Sequence, residues 1–225
     1  MRIGVVTGLQ AEATIIRSLV APGDVAITGG RTDRATSLVD TLIACGCTGL
    51  VSFGIAGGLA PGVATGTLVL ADWVVDGARS YPCDSAWITR VAGMLGPAGL
   101  MIARGAVAAS AAIVATPAAK AVLQGKSGAI AVDMESGAIA AAAARTGLPF
   151  LVLRAIADSS DRTLPPAVAV GLRADGTSDP FAVLAALVRA PGQLWGVMHA
   201  ARDAACALAT LRRTSVCLGR GLGAM

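Results

Sequence analysis

Apolar and polar positions along the chain alternate between short β-branched runs and stretches of helical spacing. Ile3–Thr7 is the first such run, and residues 11–20 have helical spacing that stops at Pro22-Gly23-Asp24. Residues 25–28 read as a brief strand before Gly29-Gly30. Ala35, Leu38, Val39, Leu42 and Ile43 keep the i, i+3, i+4, i+7 pattern, which predicts a helix over residues 33–45. Residues 50–53 read as a buried strand that ends in a glycine loop, Gly54-Ile55-Ala56-Gly57-Gly58. Further strands are predicted over residues 67–75, 100–107, 129–132 and 149–157. Helices are predicted over residues 86–95, after Thr116-Pro117 (Thr as N-cap, Pro in the first turn), and over 136–145. The remainder is helical, with a break at Pro191-Gly192.

This alternation predicts a three-layer α/β/α sandwich around a mixed, largely parallel central sheet. One domain is expected over residues 1–213, closed by an amphipathic helix over 193–213, with residues 214–225 as a flexible tail. Leu194, Val197, Met198, Ala201, Ala205, Leu208 and Leu211 are expected to form the apolar face of that last helix.

Composition narrows the class. The chain has 225 residues, 55% hydrophobic and 14% charged, which excludes intrinsic disorder for most of it. About 48 alanines raise the apolar fraction and permit tight helix–sheet packing. The mean hydropathy is +0.70, yet no run of about 18 uninterrupted apolar residues occurs. The N-terminus reads as a first strand and not as a signal peptide, so a soluble, cytoplasmic protein is expected. Five cysteines of irregular spacing and one histidine, His199, predict neither a disulfide framework nor a metal site. The net charge of +4 lies wholly in residues 189–225, where Arg189, Arg202, Arg212, Arg213 and Arg220 face Asp203 alone. Few aromatics accompany that charge, so nucleic acid is not an expected partner.

Ligands of open α/β sheets bind beyond the carboxyl ends of the strands. Those ends carry Gly8-Leu9-Gln10-Ala11-Glu12, the glycine loop, Asp133-Met134-Glu135-Ser136 and Asp158-Ser159-Ser160-Asp161. Each has a purely structural explanation. Glu12 and Glu135 suit the first turn of a helix, Asp158 suits an N-cap, and Gly57-Gly58 suits a turn. Carboxylates at three strand ends beside a glycine loop at a fourth point instead to a shared site.

The same residues carry a resemblance. G-L-Q-A-E, F-G-I-A-G-G-L, V-D-M-E-S-G-A-I-A and L-R-A-I-A-D resemble the nucleoside phosphorylase / methylthioadenosine–adenosylhomocysteine nucleosidase superfamily over most of residues 1–162. R-T-L-P-P-A-V-A-V-G-L-R-A-D-G and R-A-P-G-Q-L resemble its hopanoid-associated phosphorylase branch, linked to removal of adenine from adenosylhopane. The resemblance implies cleavage of a purine N-glycosidic bond, with no cofactor beyond phosphate as a co-substrate. It implies that Asp158 hydrogen-bonds or protonates N7 of the leaving adenine, and that Glu12 activates water. Glu135 would bind the ribose hydroxyls and Met134 would pack on the sugar. Ile55, Ala56, Gly57 and Ile113 would line the substrate site, and homo-oligomers are implied.

The chain departs from the pattern at three points. Ile55 stands where a serine is usual, Ser52 where trimeric or hexameric phosphorylases have arginine, and Ala112 near the aromatic that stacks on adenine. Gly30 and Arg31, before a helix, offer a replacement phosphate site. Glu12 therefore points to water as the acceptor, while Arg31 and the branch resemblance point, by a small margin, to phosphate. A methylthioadenosine/S-adenosylhomocysteine nucleosidase and a non-catalytic nucleoside or lipid binder are the alternatives. A lipid-linked substrate would also give Trp195, the tail arginines and the apolar face of the last helix a role at the inner face of an anionic membrane.

Overall fold

The computed structural model describes residues 1–224 apart from Leu172, Ala174 and Ser178, and gives only the backbone of Ala169. Leu172 and Ala174 of the branch-like segment, and Met225 of the expected tail, thus lie outside the described residues.

Eight strands form one mixed sheet: β1 (Ile3–Thr7), β2 (Val25–Ile27), β3 (Gly49–Gly58), β4 (Leu68–Asp76), β5 (Arg79–Pro82), β6 (Ile102–Ala109), β7 (Ala131–Asp133) and β8 (Phe150–Asp158). Five pairings are parallel: β1–β2, β1–β3, β3–β8, β4–β6 and β6–β7. Three are antiparallel: β3–β7, β4–β5 and β4–β8. The predicted mixed, largely parallel sheet is therefore present. It does more than lie open, because β3, β8, β4, β6 and β7 pair in a closed circuit.

The helices are α1 (Gln10–Ile16), α2 (Thr32–Ala44), α3 (Ser85–Leu95), α4 (Pro117–Ser127), α5 (Ser136–Thr146), α6 (Pro166–Val170), α7 (Pro180–Arg189) and α8 (Leu194–Leu218). α2 packs on α5, and α8 packs on α1, α3 and the sheet, giving the two helix layers. The alanines of α5 explain how close its layer lies. Ala140, Ala142 and Ala143 are buried, and a Cβ on Gly137 would stand 2.7 Å from the Ala109 Cβ of β6. The main core joins both layers around Leu50, Val51, Phe53, Leu70, Leu151 and Leu153.

Three features differ from what the sequence predicts. The glycine loop is not a loop: residues 54–58 continue β3, paired with β8 and, at Gly57 and Gly58, with β7. Glycine's low strand propensity hides this, because pairing on both edges outweighs it. The hairpin strand β5 has no alternating pattern, being an exposed edge after the turn at Gly77.

The C-terminus is the third. α8 runs to Leu218, and its buried stripe is Ala207, Leu211, Thr214 and Leu218, so of the expected apolar face only Leu211 is fully buried. The expected flexible tail is instead packed, with Leu222 buried and its carbonyl accepting a 2.8 Å hydrogen bond from the Trp87 indole. The Gly223 carbonyl accepts from Arg90 at 3.0 Å. Truncation after Arg213 exposes this surface. With each buried leucine worth roughly 1.5–3 kcal/mol, loss of Leu218 and Leu222 should lower unfolding stability by about 3–6 kcal/mol in urea titration. An unchanged midpoint would restore the flexible tail.

Candidate active site

The closed circuit of strands brings the ends of β3, β7 and β8 together. At Gly57 the register of β3 shifts by one residue, so that it pairs with both Val132 and Asp158. A cavity of about 320 Å³ opens at this junction.

Of the residues singled out in sequence, Glu12, Ile55, Ala56 and Gly57 line the cavity, as do Ile113, Met134, Glu135 and Asp158. Gly30 lines it too. Arg31 does not. Its guanidinium is half-exposed and forks onto Asp33, with hydrogen bonds of 3.1 and 2.6 Å. A short local ion pair satisfies Arg31 more cheaply than reaching back to the glycines.

Arg154, on β8 and only 1% exposed, organises the charged end of the site. It donates to Glu135 Oε2 at 3.0 Å, to Ser52 Oγ at 2.6 Å and to the Ile55 carbonyl at 3.2 Å. Its Nε lies 2.6 Å from Asp133 Oδ2, an ion-pair contact without hydrogen-bond geometry. Ser136 donates its hydroxyl hydrogen to Asp133, which leaves Ser52 as the donor across the 2.8 Å Ser52–Ser136 contact. Ser52, at the position where related phosphorylases have arginine, is thus an acceptor for a cation supplied by the next strand.

Glu12 enters the cluster from α1. Its Oε2 accepts from the backbone N–H groups of Gly8 (2.9 Å) and Leu9 (2.8 Å), and Oε1 accepts from Ile55 N–H (2.8 Å). The purely structural role as a first-turn acid is therefore real but incomplete, because the third donor comes from β3. A Cβ on Gly54 would stand 2.6 Å from Arg154 Nη1 and 2.7 Å from the Glu12 carboxyl carbon, so only glycine fits there. Glu135 caps nothing with its side chain. It accepts from Arg154 and, at 3.0 Å, from the Thr28 hydroxyl.

Burial raises the Glu12 carboxyl to about 7. Arg154 opposes that rise, Glu135 adds to it, and the backbone donors favour the ionised form. Burial also raises Glu135, against the pull of Arg154.

Asp158, the last residue of β8, is no helix N-cap. One carboxyl oxygen is held by the Lys120 ammonium. Burial raises its carboxyl to about 6, Lys120 draws it down, and Asp203 pushes it up. The cavity is also lined by Leu164, Val168 and Gly171, and by Ala200 and Ala204 of α8.

Arg154, Asp133, Thr28 and Lys120 were not singled out in sequence. Arg154 stands inside the L-R-A-I-A-D motif as the one charge of an apolar strand before Asp158. A charge in a strand buried along its whole length needs counter-charges, and that signal was available. Asp133 precedes Met134-Glu135 and was similarly visible. Lys120 and Thr28 carried no local signal.

A strand-end cavity with buried carboxylates and a glycine-bearing wall defines an α/β protein with a small-molecule site at its strand ends. Comparison with known proteins agrees. Residues 25–189, more than half of the chain, match the model of the phosphorylase superfamily, and the chain belongs to that family as an enzyme of the N-ribosyl-cleaving kind. Similar solved structures include a point mutant of Helicobacter pylori methylthioadenosine nucleosidase with 5′-methylthioadenosine in its active site. That match has 18% identity and a TM-score of 0.66, covering 84% of this chain and 98% of that one. Helicobacter pylori futalosine hydrolase is similar at 16% identity and a TM-score of 0.69, covering 95% and 97%. The nucleosidase of S. pneumoniae with a transition-state inhibitor is similar at 20% identity and a TM-score of 0.64, covering 96% and 100%. These likenesses show the fold. No curated protein matches the chain in sequence.

The raised carboxyls have a consequence for stability. A carboxyl whose folded pKa exceeds its unfolded value keeps its proton in the folded state after the unfolded chain has lost it. Its stabilisation is complete below the unfolded value and is lost as pH rises to the folded one. For Glu12 that window runs from 4.5 to about 7. Unfolding free energy should fall by about 2–3 kcal/mol between pH 5 and pH 8, measured by urea titration. Equal or greater stability at pH 8 would contradict the raised carboxyl.

Proposed function

We propose that this enzyme hydrolyses the N-glycosidic bond of an adenine nucleoside bearing a large apolar 5′ substituent, with adenosylhopane the favoured substrate. The observation that carries the reading is a cavity whose lining combines the buried charged groups Glu12, Glu135, Arg154 and Asp158 with apolar residues such as Leu164, Val168, Ala200 and Ala204.

In this reading Asp158 gives a proton to N7 of the purine as the C1′–N9 bond breaks, and the bonding electron pair leaves with the base. Glu12 accepts a proton from the water whose oxygen joins C1′. Glu135 accepts from the ribose hydroxyls, and Met134 packs on the sugar. The Gly57 backbone leaves room for the base.

Water is favoured over phosphate by charge. Arg154, the cation that lines the cavity, is engaged by Asp133 and Glu135 and sits in the field of Glu12. Arg31 is engaged by Asp33. A phosphate dianion would meet more carboxylate than cation. Solved structures of similar fold are nucleosidases and a hydrolase by their names, which supports the same choice. Methylthioadenosine and S-adenosylhomocysteine are the alternative substrates of this one site.

The apolar lining favours the bulkier 5′ group, and so does the nearby surface. α6, which packs on both α7 and α8, lies between exposed Phe181, Leu184 and Val188 of α7 and exposed Leu194, Trp195 and Met198 of α8. Phe181 and Trp195 are 79% and 70% exposed, although aromatic side chains usually bury their rings. Exposed Arg189 and Arg202 lie on α7 and α8. The other tail arginines lie towards the far end of α8, a helix about 37 Å long. We place membrane contact on this front and not on a C-terminal helix acting alone. Among the described residues no helix is long and apolar enough to cross a membrane, so the contact is peripheral.

Two measurements test the reading. Asp158→Asn should lower kcat for adenine release about 100- to 10,000-fold while ligand binding persists. In the native chain kcat/KM should peak between pH 6 and 7 and fall on both sides, because Glu12 must be ionised and Asp158 protonated. Undiminished turnover in the variant would remove Asp158 as the acid. For the membrane front, the native chain should float with anionic vesicles in a salt-dependent way, and Phe181→Ser/Trp195→Ser should not. Equal flotation of the two, or none, would remove the front. Truncation at Pro191 is unsuitable, since it deletes Ala207, Leu211 and Leu218 from the core.

A further inference from the structure

α4 is a largely exposed helix that packs on the sheet side through Leu123. Among the described residues its fully buried side chain is Lys120, one of the two lysines in the chain. The Lys120 ammonium makes three contacts, matching its three hydrogens: Asp158 Oδ2, the Ser159 carbonyl at 2.7 Å and the Arg162 carbonyl at 3.2 Å. It thus ties the carboxyl at the end of β8 to the turn that follows. A buried ammonium is costly, and nothing in the packing of α4 requires one. An alkyl side chain would fill the same space.

We propose that Lys120 is a positioning residue for glycosidic cleavage, fixing the orientation of Asp158 and making it a stronger acid by standing beside the carboxylate that remains when the proton passes to the purine. The inference rests on the hydrolytic reading above and adds a residue to it. Lys120 takes no part in the proton transfer itself. The Asp158 proton goes to N7, and the new carboxylate is left paired with a cation, where otherwise it would be a lone buried charge.

The charged groups around Asp158 are few. Lys120 faces it from α4 and lowers its pKa, and Asp203 acts on it from α8 and raises it. On the turn after β8, Asp161 interacts with both Lys120 and Arg162. Removing Lys120 therefore leaves burial and Asp203 unopposed.

The test titrates Asp158 directly by carboxyl-carbon NMR, its resonance assigned by loss in Asp158→Asn, in the native chain and in Lys120→Met. The pH profile of adenine release is measured alongside. In Lys120→Met the Asp158 midpoint should rise by at least one pH unit and the optimum of kcat/KM should move to higher pH. The kcat should fall about 10- to 100-fold, with KM changed less than about threefold. Lys120→Gln keeps an amide donor for the Ser159 and Arg162 carbonyls, and carries the same expectations should Lys120→Met not fold. An unmoved midpoint in a folded variant, or a loss of activity equal at every pH, overturns the proposal and leaves Lys120 as a tie for the turn. Full turnover in Asp158→Asn overturns the hydrolytic reading instead, while the NMR midpoint still reports on Lys120.

Discussion

One buried guanidinium sets the terms for the rest of the site. Arg154 lies on β8 with Asp133 and Glu135 against it and Glu12 in its field, all nearly inaccessible to water. Removing one partner of such a cluster typically costs about 3–5 kcal/mol, because the remaining charges are left uncompensated. The surrounding sequence is shaped to accommodate it. Gly54 has no side chain to intrude, Ser52 and Ser136 carry hydrogen bonds between guanidinium and carboxylate, and Thr28 supplies a further donor to Glu135. More carboxylate than cation means that at least one acid is held close to its protonated form. A buried base near neutrality is what activation of water requires, so in the hydrolysis we propose packing and chemistry have one origin.

The fold contributes by closing the sheet. In an open sheet β7 would not sit against the end of β3. Because it pairs there, Met134 and Glu135 follow directly from the strand that borders Gly57, and Asp158 flanks Gly57 on the other edge. Three strand ends thus converge on one residue with no side chain. The long helix α8 lines the cavity with alanines, Ala200 and Ala204, and anchors its other half in the core through Leu211 and Leu218. Small side chains at these two positions leave space in the cavity and add no hydrogen-bonding group to its lining.

Much of this was legible in the chain. Period-2 and period-3.6 patterns locate most elements, and the strand-end rule finds seven of the ten expected site residues, all of them at the cavity; Ile113, from the resemblance, and Gly30, from its place before a helix, line it too. What escaped was non-local. Arg31 was assigned to the site because it follows two glycines, but a carboxylate two residues away takes it. Lys120 resembles any lysine in an alanine-rich helix until the end of β8 is brought beneath it. The apolar stripe of α8 was misread because helical spacing alone does not say which neighbour is present along each part of a helix. Its first half meets the cavity and solvent, and its second half meets the core. The tail residues looked disordered because their glycines conceal Leu222, whose burial depends on Trp87, 135 positions away.

The central claim is that the charge of the cavity selects water over phosphate. It is tested most directly by cleaving an adenine nucleoside in heavy-oxygen water with phosphate present and absent. The account predicts adenine release at the same rate in both, with the solvent label on C1 of the freed sugar. Release that requires phosphate and yields an unlabelled sugar 1-phosphate would contradict it.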